Sequence, residues 1–235
     1  MIKNLFLLSI IATLVACSNG NGTTTSNQKK GPKNGLVHTY NEDGSISASI
    51  NYVEGIRHGL ASDFYTDGKL RAEIDYVNGV KEGLAKWYHK NGKAYRVTSY
   101  LVDSRHGTQK KYYEDGELMS EAMYFDNHPG LGLREFSKSG RERKAVPEFT
   151  FSNKKTMPDG TILVQVKLAN KVKEVSLYQG DLIDSLYLHD NLKEINKTAN
   201  TGYAKIPAGK NEVTVLAKYK TRYKNYRVVQ GTAKR

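Results

Sequence analysis

Residues 52–92 read YVEGIRHGLASDFYTDGKLRAEIDYVNGVKEGLAKWYHKNG, and their spacing decides the fold. Tyr52 and Tyr76, Gly59 and Gly83, Phe64 and Tyr88, and Gly68 and Gly92 each stand 24 residues apart. The same step runs outward through Gly35 and Gly107, through Gly44, Gly116 and Gly140, and through Tyr40, Tyr112 and Phe136. Tyr100 and Tyr124 continue the Tyr52 series. A period of this length marks a stack of supersecondary units. Each unit reads as two short strands. Leu70, Ala72, Ile74 and Tyr76 alternate with Arg71, Glu73 and Asp75, which gives one apolar face and one wet face. Ile46, Ala48, Ile50 and Tyr52 repeat the pattern against serines. Asp43-Gly44, Asp67-Gly68, Asn91-Gly92, Asp115-Gly116 and Asn78-Gly79 predict two-residue type I′ hairpin turns, with positive φ at both central positions. The chain is therefore expected to be all-β, an elongated antiparallel meander of 24-residue hairpins.

These residues resemble the MORN repeat family in its bacterial variant form, often labelled a YwqK-type antitoxin. The pattern Tyr-x-x-Gly-x-x-x-Gly, then an aromatic, then Asp/Asn-Gly stands here as Tyr52, Gly55, Gly59 and as Tyr76, Gly79, Gly83. The third copy has Asp103 where Gly is expected, the fourth has Asn127 and Leu131, and Ala61 and Ala85 replace a common second Gly. The resemblance covers residues 35–147. It implies a single-layer β-sheet used as a binding or assembly surface, and lipid binding has been proposed for relatives. The repeated tyrosines are read as a packing ladder, ring against ring, with a stacking surface for a ligand as the alternative. Trp87 has opposite parity to Tyr88 and shares it with Tyr65, Tyr95 and Leu101, so it is a candidate contact on an otherwise polar face.

Outward to the N-terminus, residues 1–16 read as a lipoprotein signal peptide. Lys3 is followed by an apolar run from Leu5 to Ala16, too short to span a bilayer, which takes about 20 residues. Leu14-Val15-Ala16-Cys17 resembles the lipobox of bacterial lipoproteins, and Cys17 is the chain's one cysteine. The resemblance implies lipid attachment at Cys17. Ser18 after the cysteine implies forwarding to the outer membrane. Residues 17–34, rich in Ser, Asn, Gly and Thr, read as a flexible tether.

Toward the C-terminus the period fades after Gly140, and residues 148–235 are expected to form an immunoglobulin-like β-sandwich. Strand patterns run over Phe149–Ser152, Ile162–Leu168, Val172–Tyr178, Leu182–Leu188, Tyr203–Ile206, Glu212–Tyr219 and Tyr226–Val229. The segment from Ile206 to Tyr219 resembles a strand-turn-strand of immunoglobulin-like domains in bacterial surface proteins. The formal charge is +12, and residues 148–235 hold 16 cations against 8 acids. In an extended chain Lys218, Lys220, Arg222 and Lys224 share one face, opposite Tyr219, Thr221 and Tyr223. This stretch is read either as a polyanion contact or as an edge strand guarded by lysines. Export argues against nucleic acid as a partner.

No catalytic constellation is legible. The histidines form no His-x-x-x-His pair, and neither a Gly-x-Ser-x-Gly elbow nor a phosphate loop occurs. No cofactor and no metal site is expected. The sequence is thus read as an outer-membrane lipoprotein with a non-catalytic binding or assembly role. Its membrane partner is reached through Cys17, and its ligand is another envelope protein or an anionic envelope polymer. Immunity against a secreted toxin and action on an envelope glycan are the rival readings.

Overall fold

The computed structural model describes residues 33–144, 146–169, 172–198 and 200–235, which fall in one compact unit. The expected signal peptide, Cys17 and the expected tether up to residue 32 lie outside the described residues. Every regular element described is a strand. The repeats form one ten-stranded sheet of β1 (Gly35–Tyr40), β2 (Ile46–Val53), β3 (Ile56–Phe64), β4 (Leu70–Val77), β5 (Val80–Tyr88), β6 (Ala94–Leu101), β7 (Ser104–Tyr112), β8 (Leu118–Phe125), β9 (His128–Pro129) and β10 (Arg134–Glu135). Strands β1 to β8 pair in chain order, each antiparallel to the next, and β8 also takes β9 and β10.

Two kinds of turn alternate along the sheet. At one end, Glu54-Gly55, Asn78-Gly79, Val102-Asp103 and Asp126-Asn127 all have positive φ at both residues, as type I′ turns require. Where Gly is replaced, side chains hold the conformation. Asp103 Oδ1 accepts the Lys81 N–H at 3.0 Å, and Asn127 Oδ1 accepts the Arg105 N–H at 3.0 Å.

The Asp-Gly turns at the other end differ from the expected two-residue form. Gly68 N–H donates to the Tyr65 carbonyl and Tyr65 N–H to the Lys69 carbonyl, so the loop Thr66-Asp67-Gly68 has three residues. Only Gly68 has positive φ, at 78°. This is the type I turn with a glycine bulge, and the pairing register slips at the adjacent Asp63/Phe64. The same geometry recurs at Gly44, Gly92 and Gly116. The Asp67 carboxylate accepts the Lys69 N–H, a bond a short acid makes in such a turn.

From Phe149 onward, two four-stranded antiparallel sheets share a core. One is β11 (Phe149–Thr156), β12 (Ile162–Leu168), β16 (Thr201–Ile206) and β15 (Asn196–Thr198), in that order. The other is β14 (Lys193–Glu194), β13 (Lys173–Gln179), β17 (Glu212–Lys220) and β18 (Tyr226–Lys234). Val164, Val166, Leu168, Leu177, Ile206, Val215 and Ala217 are fully buried between them. The stretch Leu182–Leu188 is not the expected strand. It is a turn with positive φ at Asp184 and Ser185, and Leu188 packs with Leu216 and Val228 on the outer face of the second sheet.

That turn also reaches the last repeat. Leu131 N–H donates to the Leu186 carbonyl, and the Tyr187 ring packs on Phe125 at 5.6 Å. A Cβ on Gly130 would stand 2.9 Å from the Tyr187 ring, so only glycine fits there.

Candidate functional site

Strand pairing places the repeat side chains in rows across the sheet. One face carries Tyr52, Tyr76, Tyr100 and Tyr124, one per repeat. Cations lie on these rings. Lys33 is 5.1 Å from the Tyr52 centroid, Arg57 5.3 Å from Tyr76, Lys81 5.3 Å from Tyr100 and Arg105 4.1 Å from Tyr124. The tyrosine ladder is therefore built ring against cation, not ring against ring. Each contact contributes on the order of 0.5–1 kcal/mol where exposed, and it holds a flexible cation in one place. Arg57 also donates to the Tyr76 hydroxyl at 3.3 Å, and Arg105 to the Asn127 carbonyl at 3.1 Å.

Beside the ladder runs a second row on the same face, Ala61, Ile74, Ala85, Thr98, Gln109 and Ala122, with small side chains at four of its six places. Ala85, Thr98 and Ala122 are buried, because taller neighbours stand on both sides. The third row reads Ala72, Trp87, Arg96, Lys111, Ser120 and Glu135 across β4 to β10. Arg96 lies flat on Trp87, 3.7 Å from the ring centroid. Its buried Nε has no hydrogen-bond partner. Lys111 is buried, and that burial, with the Arg96 charge adding, pushes its ammonium down to about 8. The face thus carries ring-held cations along one side and the Trp87–Arg96 pair along the other.

Trp87 is accordingly not on a polar face. Its partner across the strands is Ala72, so it belongs to the ladder side. Trp87 and Tyr88 do lie on opposite faces, and it is Tyr88, bonded to Glu73, that stands on the charged one. Tyr65 donates its hydroxyl to the Tyr88 carbonyl at 2.7 Å, one repeat on. His89 does the equivalent to the Tyr112 carbonyl and Tyr113 to the Phe136 carbonyl. Tyr95 packs edge-on to His89 at 5.2 Å. The three candidate aromatics therefore have separate partners, and no ring contact among the described residues joins them. Leu101 is exposed beside the type I′ turn.

The basic stretch departs most from expectation. Strand β17 ends at Lys220 and β18 begins at Tyr226, so Arg222 and Lys224 lie in a hairpin turn. Lys224 has positive φ, at 56°. The four cations therefore do not share one face. Nor is β17 an edge strand, since it lies between β13 and β18. Lys218 sits 5.7 Å from both the Tyr178 and Tyr226 rings, and Lys220 pairs with Glu174 at 3.0 Å.

The hairpin turn docks on the ladder face of the last repeat. Buried Glu135 accepts from Thr221 at 2.6 Å and Asn225 at 2.8 Å, and lies 3.6 Å from Arg227. Lys111 donates to the Tyr223 carbonyl, and the Tyr113 and Tyr223 hydroxyls meet at 3.0 Å. A cleft of about 540 Å³ opens at this junction, with Arg143, Tyr219, Lys220, Arg222 and Arg227 among its walls.

The ladder cations are the residues that sequence reasoning missed. Lys33, Arg57, Lys81 and Arg105 stand 24 residues apart and were detectable by the same count as the glycines. The model of the MORN repeat variant family matches residues 57–78, 81–100 and 105–127, and each segment opens on one of these cations. Three consecutive repeats therefore carry that family's pattern. A search of the curated proteins found no match.

Proposed function

We propose that this chain is a non-catalytic envelope lipoprotein that binds an anionic envelope polymer on the ladder face of its repeat sheet. The observation that carries the reading is the row of ring-held cations, Lys33, Arg57, Lys81 and Arg105. Asp63 and Glu135 are the acids of the third row; Asp63 pairs with Arg71 and Glu135 with Arg227. Such a face attracts polyanions and orients them. Cys17 anchors the chain through its lipid, and the residues between it and Lys33 set its distance from the membrane. The strand order β11-β12-β16-β15 against β14-β13-β17-β18 supports an immunoglobulin-like sandwich, which caps the repeat sheet. The antitoxin reading rests on the family label alone.

The test uses lipidated protein purified from envelopes. Replacing Arg57, Lys81 and Arg105 together by Gln is expected to strip co-purifying anionic polymer while leaving the protein in the outer-membrane fraction. Unchanged co-purification would refute the ladder face as the binding surface. Separately, Cys17→Ser should abolish uptake of labelled palmitate. Continued labelling would refute the anchor.

A further inference from the structure

We infer that the ligand of the ladder face is a single extended acidic glycan chain bearing one negative charge per disaccharide. The inference rests on the reading above and adds the ligand's charge spacing and thickness. Neighbouring strands lie about 4.8 Å apart, so cations that recur every second strand stand about 10 Å apart. The alternate members of the row are tyrosines, not further cations. An extended disaccharide advances by a comparable distance, so a glycan with an acid on every second sugar meets each cation in turn. Duplex DNA carries a charge about every 1.7 Å of axis, far denser than this row.

Thickness is decided by the sandwich. The Thr221–Asn225 turn stands on the same face, bonded to Glu135, Lys111 and Tyr113. A flat bilayer laid on the ladder would strike this turn. A thin polymer lies along the ladder and stops against it. The small side chains Ala85, Thr98 and Ala122 of the second row leave room for sugar rings beside the cations. The cations are already ordered on their tyrosines, which lowers the entropy lost when a chain binds.

The test titrates the full chain with hyaluronate oligosaccharides of two to six disaccharides. Polygalacturonate, neutral dextran, vesicles rich in phosphatidylglycerol and single-stranded DNA are the comparison probes. Affinity is expected to rise severalfold with each disaccharide up to four, then level, and to fall at least tenfold between low and high salt. Lys81→Gln alone should cost severalfold, and Lys81→Arg should restore binding, which separates charge from folding. Hyaluronate affinity independent of length, or matched by dextran, overturns the inference. Tighter binding of vesicles or DNA that is still lost with Lys81→Gln overturns the glycan assignment and leaves the anion-binding face standing. If none of the anionic probes binds, both readings fail.

Discussion

Lys111 is 8% exposed and held to about 8 by burial and by Arg96, against an ordinary value of 10.5. Between these two values the unfolded chain carries a proton that the folded chain has released. Stability should therefore rise as pH climbs through that window, by at most about 3 kcal/mol, and the cost of burying the charge is carried in full at pH 7. Lys111→Met removes the titrating ammonium. Chemical denaturation of both proteins from pH 7.5 to 10 should show the wild type gaining on the variant, and parallel curves would refute the assignment. Glu135 is the buried acid beside Lys111. Its removal leaves Arg227 and Lys111 buried without an acid, so Glu135→Ala should cost about 3–5 kcal/mol in the same assay. Neither residue was legible as special in the sequence. Lys111 lies in an ordinary-looking Lys-Lys-Tyr, and the carbonyl it donates to belongs to a residue more than 100 positions away.

At the scale of the element, the turns hold the clearest prediction. Val102 opens a type I′ turn at φ 47°, a conformation its branched side chain resists, and it is 63% exposed. Val102→Asn should therefore raise the melting temperature, for a gain of about 1 kcal/mol. Gly68 stands in open space at φ 78°, so Gly68→Val should lose about 1–2 kcal/mol through backbone strain alone, and Gly68→Asn much less. A melt unchanged by Gly68→Val would contradict the bulged turn. The repeating glycines announced where these turns lie. They could not announce which type, because Asp-Gly serves both a two-residue turn and a three-residue one. The two hairpin ends look alike in sequence and differ by a single residue of loop. That residue shifts the register just beyond Trp87, and Tyr88 stands on the charged face, bonded to Glu73, while Trp87 stays on the ladder face.

Over the whole molecule, periodicity made the repeat sheet legible and left the sandwich less so. Local alternation located β12 and β17 well, but Leu182–Leu188 alternates too and became a turn. Its apolar residues cover Leu216, Val228 and Phe125 instead of entering a sheet. The docking of the Thr221–Asn225 turn left no local signal, since it depends on a buried acid at the far end of the repeats. That contact should govern how the molecule opens. Tyr223→Ala removes partners of Tyr113 and Arg143, and hydrogen exchange should then accelerate in β8 and β18 while β3 and β4 stay unchanged. Equal acceleration throughout would show that the two parts do not meet as described.

Because each hairpin bonds only to its neighbours, the sheet's length is a count of identical steps. One more 24-residue cassette inserted between Gly79 and Val80 would add about 10 Å of ladder and one more cation without disturbing the capped end. The molecule is in this sense a ruler with one fixed stop. What it gauges is set by how many graduations the gene contains, so duplication or loss of a cassette would retune its reach in one step, with no new contact to invent.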